Sequence, residues 1–360
     1  MVRCRRSCQE VSVSCFIRFG SDMKKWPRVF LFLLALGVFI PMLVLVYTTS
    51  WQQTTSENNV NIGIYKGSRL MNETNDKHKN PLHNWMRSKC DALQLPQDQT
   101  MKIFTLNHII VNHKHKVLYC QVPKVASTNW LRVFIFLSGK VKATNLMALK
   151  ASDVHGQYDH HLTYLSDLNT DEIRVVIREY FKFIIVREPF ERLLSAYRNK
   201  LEAQTNSSRF FHLRFGRKII KRYRDSPSEQ SLEKGNDVTF PEFVKYILDH
   251  DGMEEFNEHW AQLYNLCMPC VINYSFVGKY HRIQQDSKQI LETINVADMI
   301  QFPPRSASYK HKKTEGLLLH YYKTIPRKHL QQLWKVYHLD FVLFNYTVPS
   351  SMQSLLGLVT

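Results

Sequence analysis

The stretch 120–130, CQVPKVASTNW, constrains the fold most, because it joins a predicted buried strand to a predicted helix through a loop that carries a lysine. The apolar run 117–122 is typical of a strand, Pro123 ends it, and a residue of 127–129 can cap the helix predicted over 128–138. Backbone N–H groups at such a helix start, together with the ammonium group of Lys124, suit a phosphate or sulfate group. No glycine lies in the stretch, so this is not a Walker P-loop. It predicts an anion site for a nucleotide donor.

A second junction of the same kind lies at 182–200, KFIIVREPFERLLSAYRNK. The apolar strand 183–186 leads into Arg187, and a helix is predicted from Phe190 onward. Arg187 and Ser195 could converge on one phosphate if the turn folds the helix back beside the strand end. Two strand-loop-helix units with anion-binding turns predict an open, largely parallel α/β sheet with helices on both faces. The 360 residues suffice for one catalytic domain of about 250 residues and a tether.

These two stretches resemble the Golgi carbohydrate sulfotransferases that use 3′-phosphoadenosine 5′-phosphosulfate (PAPS), and the chondroitin 4-O-sulfotransferase branch in particular. The resemblance covers roughly residues 101–349, and a serine stands at position 127 where we expect cysteine in that branch. Further matching segments are FGRKIIKRYR (215–224), FNEHW (256–260), LCMPC (266–270), VGKY (277–280) and LDFVLFNY (339–346).

The resemblance implies a P-loop-kinase-like sulfotransferase core and transfer of a sulfuryl group from PAPS to a sugar hydroxyl, with no metal required. Lys124 is then the residue that neutralises the 5′-phosphosulfate, while Arg187 and Ser195 hold the 3′-phosphate; Arg192 and Arg198 are less direct. The predicted donor-binding residues are Pro123, Lys124, Val125, Ala126, Ser127, Thr128, Asn129, Arg187, Glu188, Pro189, Phe190, Glu191, Arg192, Leu193, Leu194 and Ser195.

A sugar hydroxyl has a high pKa, so a general base should remove its proton as the bond to sulfur forms. Two of the sixteen histidines stand out, His155 in SDVHGQY and His259 in FNEHW. We prefer His155 as the base, because its polar segment lies between the two donor-binding elements. His259, beside Trp260, also suits a structural, hydrogen-bonded histidine.

The formal charge of +17 indicates an anionic partner. The densest basic run is 209–224, in which arginines and lysines alternate with Phe and Ile. By composition it is equally typical of a solvated basic helix face, and the resemblance favours binding of a polyanionic glycan. The predicted acceptor-binding residues are Arg217, Lys218, Lys221 and Arg222.

The apolar run 29–47 contains no charge and is about 28 Å long as a helix, which matches a bilayer core of about 30 Å. Seven Lys or Arg residues precede it, so we predict an uncleaved type II anchor rather than a signal peptide, behind a cytosolic tail at 1–28. A lumenal stem (48–100), a catalytic domain (101–350) and a short tail (351–360) follow. The predicted location is the Golgi membrane.

Four sequons follow the predicted anchor, at Asn72, Asn206, Asn273 and Asn345. The four cysteines on the same side, Cys90, Cys120, Cys267 and Cys270, predict disulfides, and a structural role for the CxxC pair is favoured over metal or redox chemistry. Three pairings are possible from the sequence.

Two other classes of protein share some of these features. A type II Golgi glycosyltransferase would carry a DxD motif, and residues 249–251 (DHD) match that short string. A non-catalytic protein could retain sulfated glycans on the basic surface. Within the sulfotransferases, N-acetylgalactosamine of N-glycans or a terminal glucuronate are alternative acceptors to chondroitin or dermatan.

Overall fold

A computed structural model describes residues 59–60, 80–97, 101–141, 145–249, 257–304 and 314–357. The chain divides into two units, 1–61 and 62–360, and the described part of the first is the strand β1 (Asn59–Val60). The predicted cytosolic tail, the anchor at 29–47 and the sequon at Asn72 lie outside the described residues. Among the helices that are described, none is long and apolar enough to cross a bilayer.

The second unit contains six strands and sixteen α-helices among its described residues, besides short 3-10 and π-helical turns. Its strands are β2 (Met101–Lys102), β3 (Ile109–Asn112), β4 (Val117–Cys120), β5 (Thr163–Tyr164), β6 (Phe181–Val186) and β7 (Phe276–Lys279). Its helices are α1 (Pro81–Ala92), α2 (Ile103–Leu106), α3 (Ser127–Leu137), α4 (Ala151–Val154), α5 (Thr170–Glu179), α6 (Pro189–Tyr197), α7 (Asn206–Phe211), α8 (Arg217–Tyr223), α9 (Glu229–Lys234), α10 (Phe240–Leu248), α11 (Leu263–Cys267), α12 (Pro269–Ile272), α13 (Ile283–Thr293), α14 (Leu318–Tyr322), α15 (Arg327–Leu343) and α16 (Ser350–Leu356).

The central sheet has five strands in the order β5-β3-β4-β6-β7 and is flanked by helices. Strands β4, β6 and β7 are parallel, whereas β3 pairs antiparallel with both β4 and β5. The prediction of an α/β fold is confirmed, but the sheet is mixed rather than largely parallel. The antiparallel pair arises because the short turn 113–116 returns the chain directly from β3 to β4, which leaves no length for a crossover helix.

The parallel strands place both predicted junctions at one edge of the sheet. Cys120 is paired with Ile184, and Val186 with Lys279, so the carboxyl ends of the three strands lie side by side. Every residue of β4 and β6 is buried. In open α/β sheets ligands bind outside the carboxyl ends of parallel strands, so this edge is where a site is expected.

Aromatic packing fixes helix α3 against the sheet. The ring of Tyr119 on β4 stacks on Phe183 of β6 at a centroid distance of 4.8 Å, and Trp130 of α3 lies 4.5 Å from Phe183. All three side chains are fully buried. Such contacts add to the hydrophobic term and hold the start of α3 beside the strand ends.

The folded unit begins before the predicted domain boundary at residue 101. Helix α1 lies within the segment predicted as a stem, yet it packs on β7 and α15, and Asn80 donates a hydrogen bond to the carbonyl of Val277 at 2.9 Å. At the other end, α16 packs on α14 and α15 and buries Met352, within the segment predicted as a tail.

Two disulfides join Cys90 to Cys270 and Cys120 to Cys267. The predicted structural role of the CxxC pair is confirmed, and each of its cysteines has a distant partner. Cys90 and Cys270 are 180 residues apart in the sequence, and Cys120 and Cys267 are 147 residues apart. They connect α1 and the end of β4 to the same short segment, α11 and α12.

Replacing both Cys90 and Cys270 by alanine should lower the free energy of unfolding by about 2–5 kcal/mol, since the bridge closes a long loop. Urea unfolding of the purified protein measures the loss. Reductant is the control, because it should destabilise the wild type by more than the variant, which has one bridge left to lose. Equal midpoints for oxidised wild type and variant would contradict this expectation.

Candidate donor and acceptor site

The loop between β4 and α3 has a backbone shape that binds anions. Lys124 and Ala126 have positive φ angles, 75° and 67°, which are costly for residues other than glycine. Helix α3 begins at Ser127, and its cap residue Ala126 has no side-chain acceptor, so the predicted capping by residues 127–129 is wrong. The N–H groups of Asn129 and Trp130 donate to the carbonyl of Ala126, so those of Ser127 and Thr128 are the ones that can bind an external anion.

The ammonium group of Lys124 is half-buried beside this loop and donates a hydrogen bond to Asn199 Oδ1 at 2.8 Å. Burial lowers the pKa of Lys124 well below its usual value, and nearby positive charges lower it further. Those charges belong to Lys200, Arg187, Arg192 and Arg198. Cations gathered in this way repel one another, and a bound polyanion would offset that repulsion. The residues present thus fit a phosphosulfate donor.

The second junction brings Arg187 against the same loop. Its guanidinium group donates to the carbonyl of Lys124 at 3.3 Å, forms an ion pair with Glu191 at 3.1 Å and lies over the ring of Tyr280 at 4.6 Å. Ser195, two helical turns along α6, is also buried. Arg187 is thereby held at the carboxyl edge of the sheet, where the 3′-phosphate was predicted to bind.

Helix α6, unlike α3, has a side-chain cap at its start, which Glu188 provides. A carboxylate oxygen of Glu188 accepts a hydrogen bond from the backbone N–H of Glu191 at 2.6 Å. Burial raises the pKa of Glu188 to about 8. An anion at this second junction would therefore be bound by side chains rather than by the helix start.

Arg192 connects the donor loop to the segment around His259. Its guanidinium nitrogens donate to the carbonyl oxygens of Pro123 (3.2 Å), Ala261 (2.6 Å) and Glu258 (2.7 Å), and the side chain is almost fully buried. These bonds engage every nitrogen of the group. We infer a positioning role for Arg192 rather than direct contact with the donor.

Several other predicted donor-binding residues belong to the hydrophobic core next to the loop. Val125, Phe190, Leu193 and Leu194 are core residues with at most 1% of their surface exposed. Asn129, in the first turn of α3, donates to the carbonyl of Pro303 at 3.2 Å and accepts from Arg132 of the same helix at 2.6 Å.

His259 is half-buried, and its tautomer follows from its contacts. Nδ1 lies 2.6 Å from Asn257 Oδ1 and 3.3 Å from a carboxylate oxygen of Glu258. Because both neighbours are acceptors, Nδ1 carries the proton, which leaves Nε2 with a lone pair. Burial lowers the pKa of His259 to about 4; Glu258 opposes the shift, whereas Lys200 and Lys124 reinforce it.

His155 contacts the start of helix α3, next to the donor loop. Its Nε2 lies 2.9 Å from the hydroxyl oxygen of Thr128 at the start of α3. Partial burial lowers the pKa of His155, and the charge of Lys200 adds to the shift. The side chain keeps one face in solvent. The structure thus brings both candidate histidines near the donor loop, with Nδ1 of His259 and Nε2 of His155 each engaged in a hydrogen bond.

The basic run 209–224 folds as α7, a π-helical turn (His212–Gly216) and α8. Its buried face joins the site, since Phe211 meets His259 edge-on at 5.1 Å and Phe215 meets Trp260 at 5.0 Å. The predicted acceptor-binding residues are exposed on α8, where Arg217 donates to the carbonyl of Glu233 and Arg222 forms an ion pair with Asp249 at 3.5 Å; the four residues are Arg217, Lys218, Lys221 and Arg222.

Four polar residues of the site were not predicted from the sequence: Asn199, Lys200, Asn257 and Glu258. Asn199 and Lys200 end the RNK string of the second junction, which was quoted only as part of a helix. Asn257 and Glu258 directly precede His259. Adjacency to selected residues was the available signal for all four, and for Asn199 the partner, Lys124, is 75 residues away.

The comparisons with known proteins agree with this geometry. A protein-family model described as "Sulfotransferase family" matches residues 107–347. Carbohydrate sulfotransferase 14 of Danio rerio is 45% identical over 274 residues, covering 74% of this chain and 71% of its own. Carbohydrate sulfotransferase 11 of Mus musculus is 42% identical over 250 residues, covering 69% of each chain. No solved structure matches.

The fold and the site thus define an α/β protein in which two cationic strand-loop-helix junctions meet at the carboxyl edge of a mixed sheet. With the family model spanning 107–347 and these relatives, the chain belongs to the sulfotransferase family, among the carbohydrate sulfotransferases.

Proposed function

We propose that this protein transfers a sulfuryl group from PAPS to a hydroxyl of a glycan, and that its acceptor is the 4-hydroxyl of N-acetylgalactosamine in chondroitin or dermatan. The observation that carries the proposal is the meeting of Lys124, on a loop with two positive φ angles, with two histidines at the carboxyl edge of the parallel strands. The motif resemblance to the chondroitin branch and the carbohydrate sulfotransferase relatives support the choice of acceptor.

PAPS supplies an activated sulfuryl group whose leaving oxygen gains negative charge during transfer. Lys124 and the N–H groups at the start of α3 would hold that phosphosulfate and stabilise its developing charge. Arg187 and Ser195 would hold the 3′-phosphate, where the fork of a guanidinium group matches phosphate geometry. Arg192 would hold the donor loop and the His259 segment in a fixed position relative to each other, because it bonds to carbonyl groups of both.

For the general base we propose His259 rather than His155, the residue preferred from the sequence. His259 has a fixed tautomer with Nε2 available, whereas Nε2 of His155 is hydrogen-bonded to Thr128. His155 would instead orient the Thr128 hydroxyl within the donor loop. The exposed cations on α8 would bind the anionic chain of the acceptor, since α8 belongs to the same basic run as Phe211, which contacts His259.

The type II anchor at 29–47, the Golgi location and the use of the sequons belong to the same proposal. Asn206 and Asn345 are exposed, so both can carry a glycan in the folded protein. Asn273 is only partly exposed, its Oδ1 is buried, and its sequon partner Ser275 is 5% exposed. We infer that Asn273 is modified less than the other two.

Sulfate transfer from labelled PAPS tests the proposal with the full-length protein. Desulfated chondroitin, dermatan, heparosan and a glucuronate-capped oligosaccharide are offered, and disaccharide analysis locates the label. We expect label at the 4-position of N-acetylgalactosamine. Label on another acceptor alone would overturn the substrate and keep the chemistry, whereas binding of glycan without any transfer would favour a non-catalytic role.

A glycosyltransferase has less support. Asp249 of the short DHD string follows α10 and forms an ion pair with Arg222, while residues 250 and 251 lie outside the described residues. A uridine diphosphate sugar in place of PAPS would test this alternative in the same assay.

A further inference from the structure

A π-helical turn follows helix α6 and adjoins both halves of the site. It spans Arg198–Glu202, and turns of this kind occur frequently at functional sites. Within it, Asn199 Oδ1 accepts the hydrogen bond from the ammonium group of Lys124 at 2.8 Å. The next residue, Lys200, places its ammonium group over the ring of Phe211 at 4.3 Å.

Phe211 in turn connects Lys200 to the proposed base. Its ring meets the imidazole of His259 edge-on at a centroid distance of 5.1 Å. One short segment therefore contacts the donor lysine through Asn199 and, through the Lys200–Phe211 contact, the acceptor side of the site. The side chain of Lys200 is half-buried between them.

The electrostatics of the site agree with this central position. The charge of Lys200 lowers the pKa of Lys124, of His155 and of His259, and in each case it contributes more than any other neighbouring cation. A lysine that merely covered a phenylalanine at the surface would not act on all three groups. Lys200 is thus close enough to act electrostatically on the donor lysine and on both candidate bases.

We propose that Lys200 is a catalytic residue that binds the sulfuryl oxygens while the group moves from donor to acceptor. The inference rests on the proposed function. In the step itself, the acceptor oxygen forms a new bond to sulfur as the bond between sulfur and the bridging phosphate oxygen breaks. The electron pair of the broken bond stays on that phosphate oxygen, and the proton of the hydroxyl goes to Nε2 of His259. Lys200 forms no covalent bond and stabilises the negative charge on the three non-bridging sulfuryl oxygens.

Lys200→Met tests the role, because methionine keeps an apolar side chain against Phe211 and removes the charge. We expect kcat to fall about 10²–10³-fold, with both KM values changed less than about threefold, as for an interaction made mainly in the transition state. Lys200→Arg should recover part of the loss. Lys234→Met, at an exposed lysine on α9, is the matched control and should behave as wild type.

Two readouts separate catalysis from a structural role. Binding of 3′-phosphoadenosine 5′-phosphate, which lacks the sulfuryl group, should stay within about threefold of wild type in Lys200→Met. Loss of the positive charge should also raise the pKa of His259, so the acid limb of kcat/KM should move to higher pH. If methionine lowers the melting temperature, Lys200→Gln provides the same comparison with a polar side chain.

Three results would overturn the assignment. A higher acceptor KM with unchanged kcat would make Lys200 an acceptor-binding residue, and a parallel loss of nucleotide binding would make it a donor-binding one. If the acid limb of kcat/KM is unchanged in Lys200→Met, the charge of Lys200 does not act on His259 and the residue has no place in the site. Failure of the proposed function itself is distinct, because the wild type would then transfer no sulfate to any acceptor.

Discussion

Replacement of Lys124 by alanine is expected to reduce kcat/KM for PAPS by at least about 10²–10³-fold, the effect typical of losing one preorganised charge-stabilising donor. The ammonium group lies beside a loop that has two strained φ angles and no side-chain cap. No other side chain at the start of α3 carries a positive charge, since residues 127–130 are Ser, Thr, Asn and Trp.

Lys124→Arg sharpens this test through its pH dependence. The lysine must be protonated to act, and its pKa is lowered by burial and by neighbouring cations. The wild type should therefore lose kcat/KM as pH rises through that lowered pKa. A guanidinium group stays charged throughout this range, so the arginine variant, although less active, should lack the alkaline limb. Lys114→Ala, at an exposed lysine in the turn before β4, is the control. Full activity of Lys124→Ala would contradict the assignment.

Replacement of His259 by alanine should lower kcat by about 10²–10⁴-fold with small changes in KM, because a positioned base acts in the transition state. His155→Ala should cost less turnover and mainly weaken donor binding through Thr128. Added imidazole should restore part of the activity of the His259 variant, and CD melting of both variants checks that each is folded.

The pH dependence adds an independent measure for His259. The base must be unprotonated, so activity rises as pH passes through its pKa. In the free enzyme that pKa is about 4, lowered by burial and by Lys200 and Lys124. A bound anionic donor offsets those positive charges and raises the pKa, so the acid limb of kcat should lie at higher pH than that of kcat/KM for PAPS. Retained turnover in His259→Ala, together with its loss in His155→Ala, would return the role to His155.

The strand-loop-helix junctions could be predicted because their signals are local. An apolar run of four to six residues followed by proline or arginine and a helical pattern needs no tertiary information. The same rule missed β3 and β5, since β3 leads into the turn 113–116 rather than into a helix, and β5 has only two residues. Pattern reading also placed a side-chain cap from residues 127–129 at the start of α3, where the chain instead has Ala126 in the left-handed conformation.

The site was only partly predictable, because sequence patterns select residue types and not partners. Lys124 and Arg187 follow strands whose pairing places them together, and both were selected. Asn199 is 75 residues from its partner Lys124, and no spacing rule connects them. Our proposal of His259 over His155 rests on which ring nitrogen is hydrogen-bonded, and a sequence carries no signal for that.

The nested disulfides affect the order in which the chain can mature. Cys90 and Cys120 are synthesised well before Cys267 and Cys270, and each must wait for a partner about 150 to 180 residues further on. The two early thiols can pair with each other in the meantime, as can the two late ones. The correct covalent framework therefore forms after most of the domain has been made, and it requires an oxidising compartment where wrong pairings can be reshuffled. Expression in a reducing host should yield protein whose donor loop has lost its covalent tie to the segment after His259.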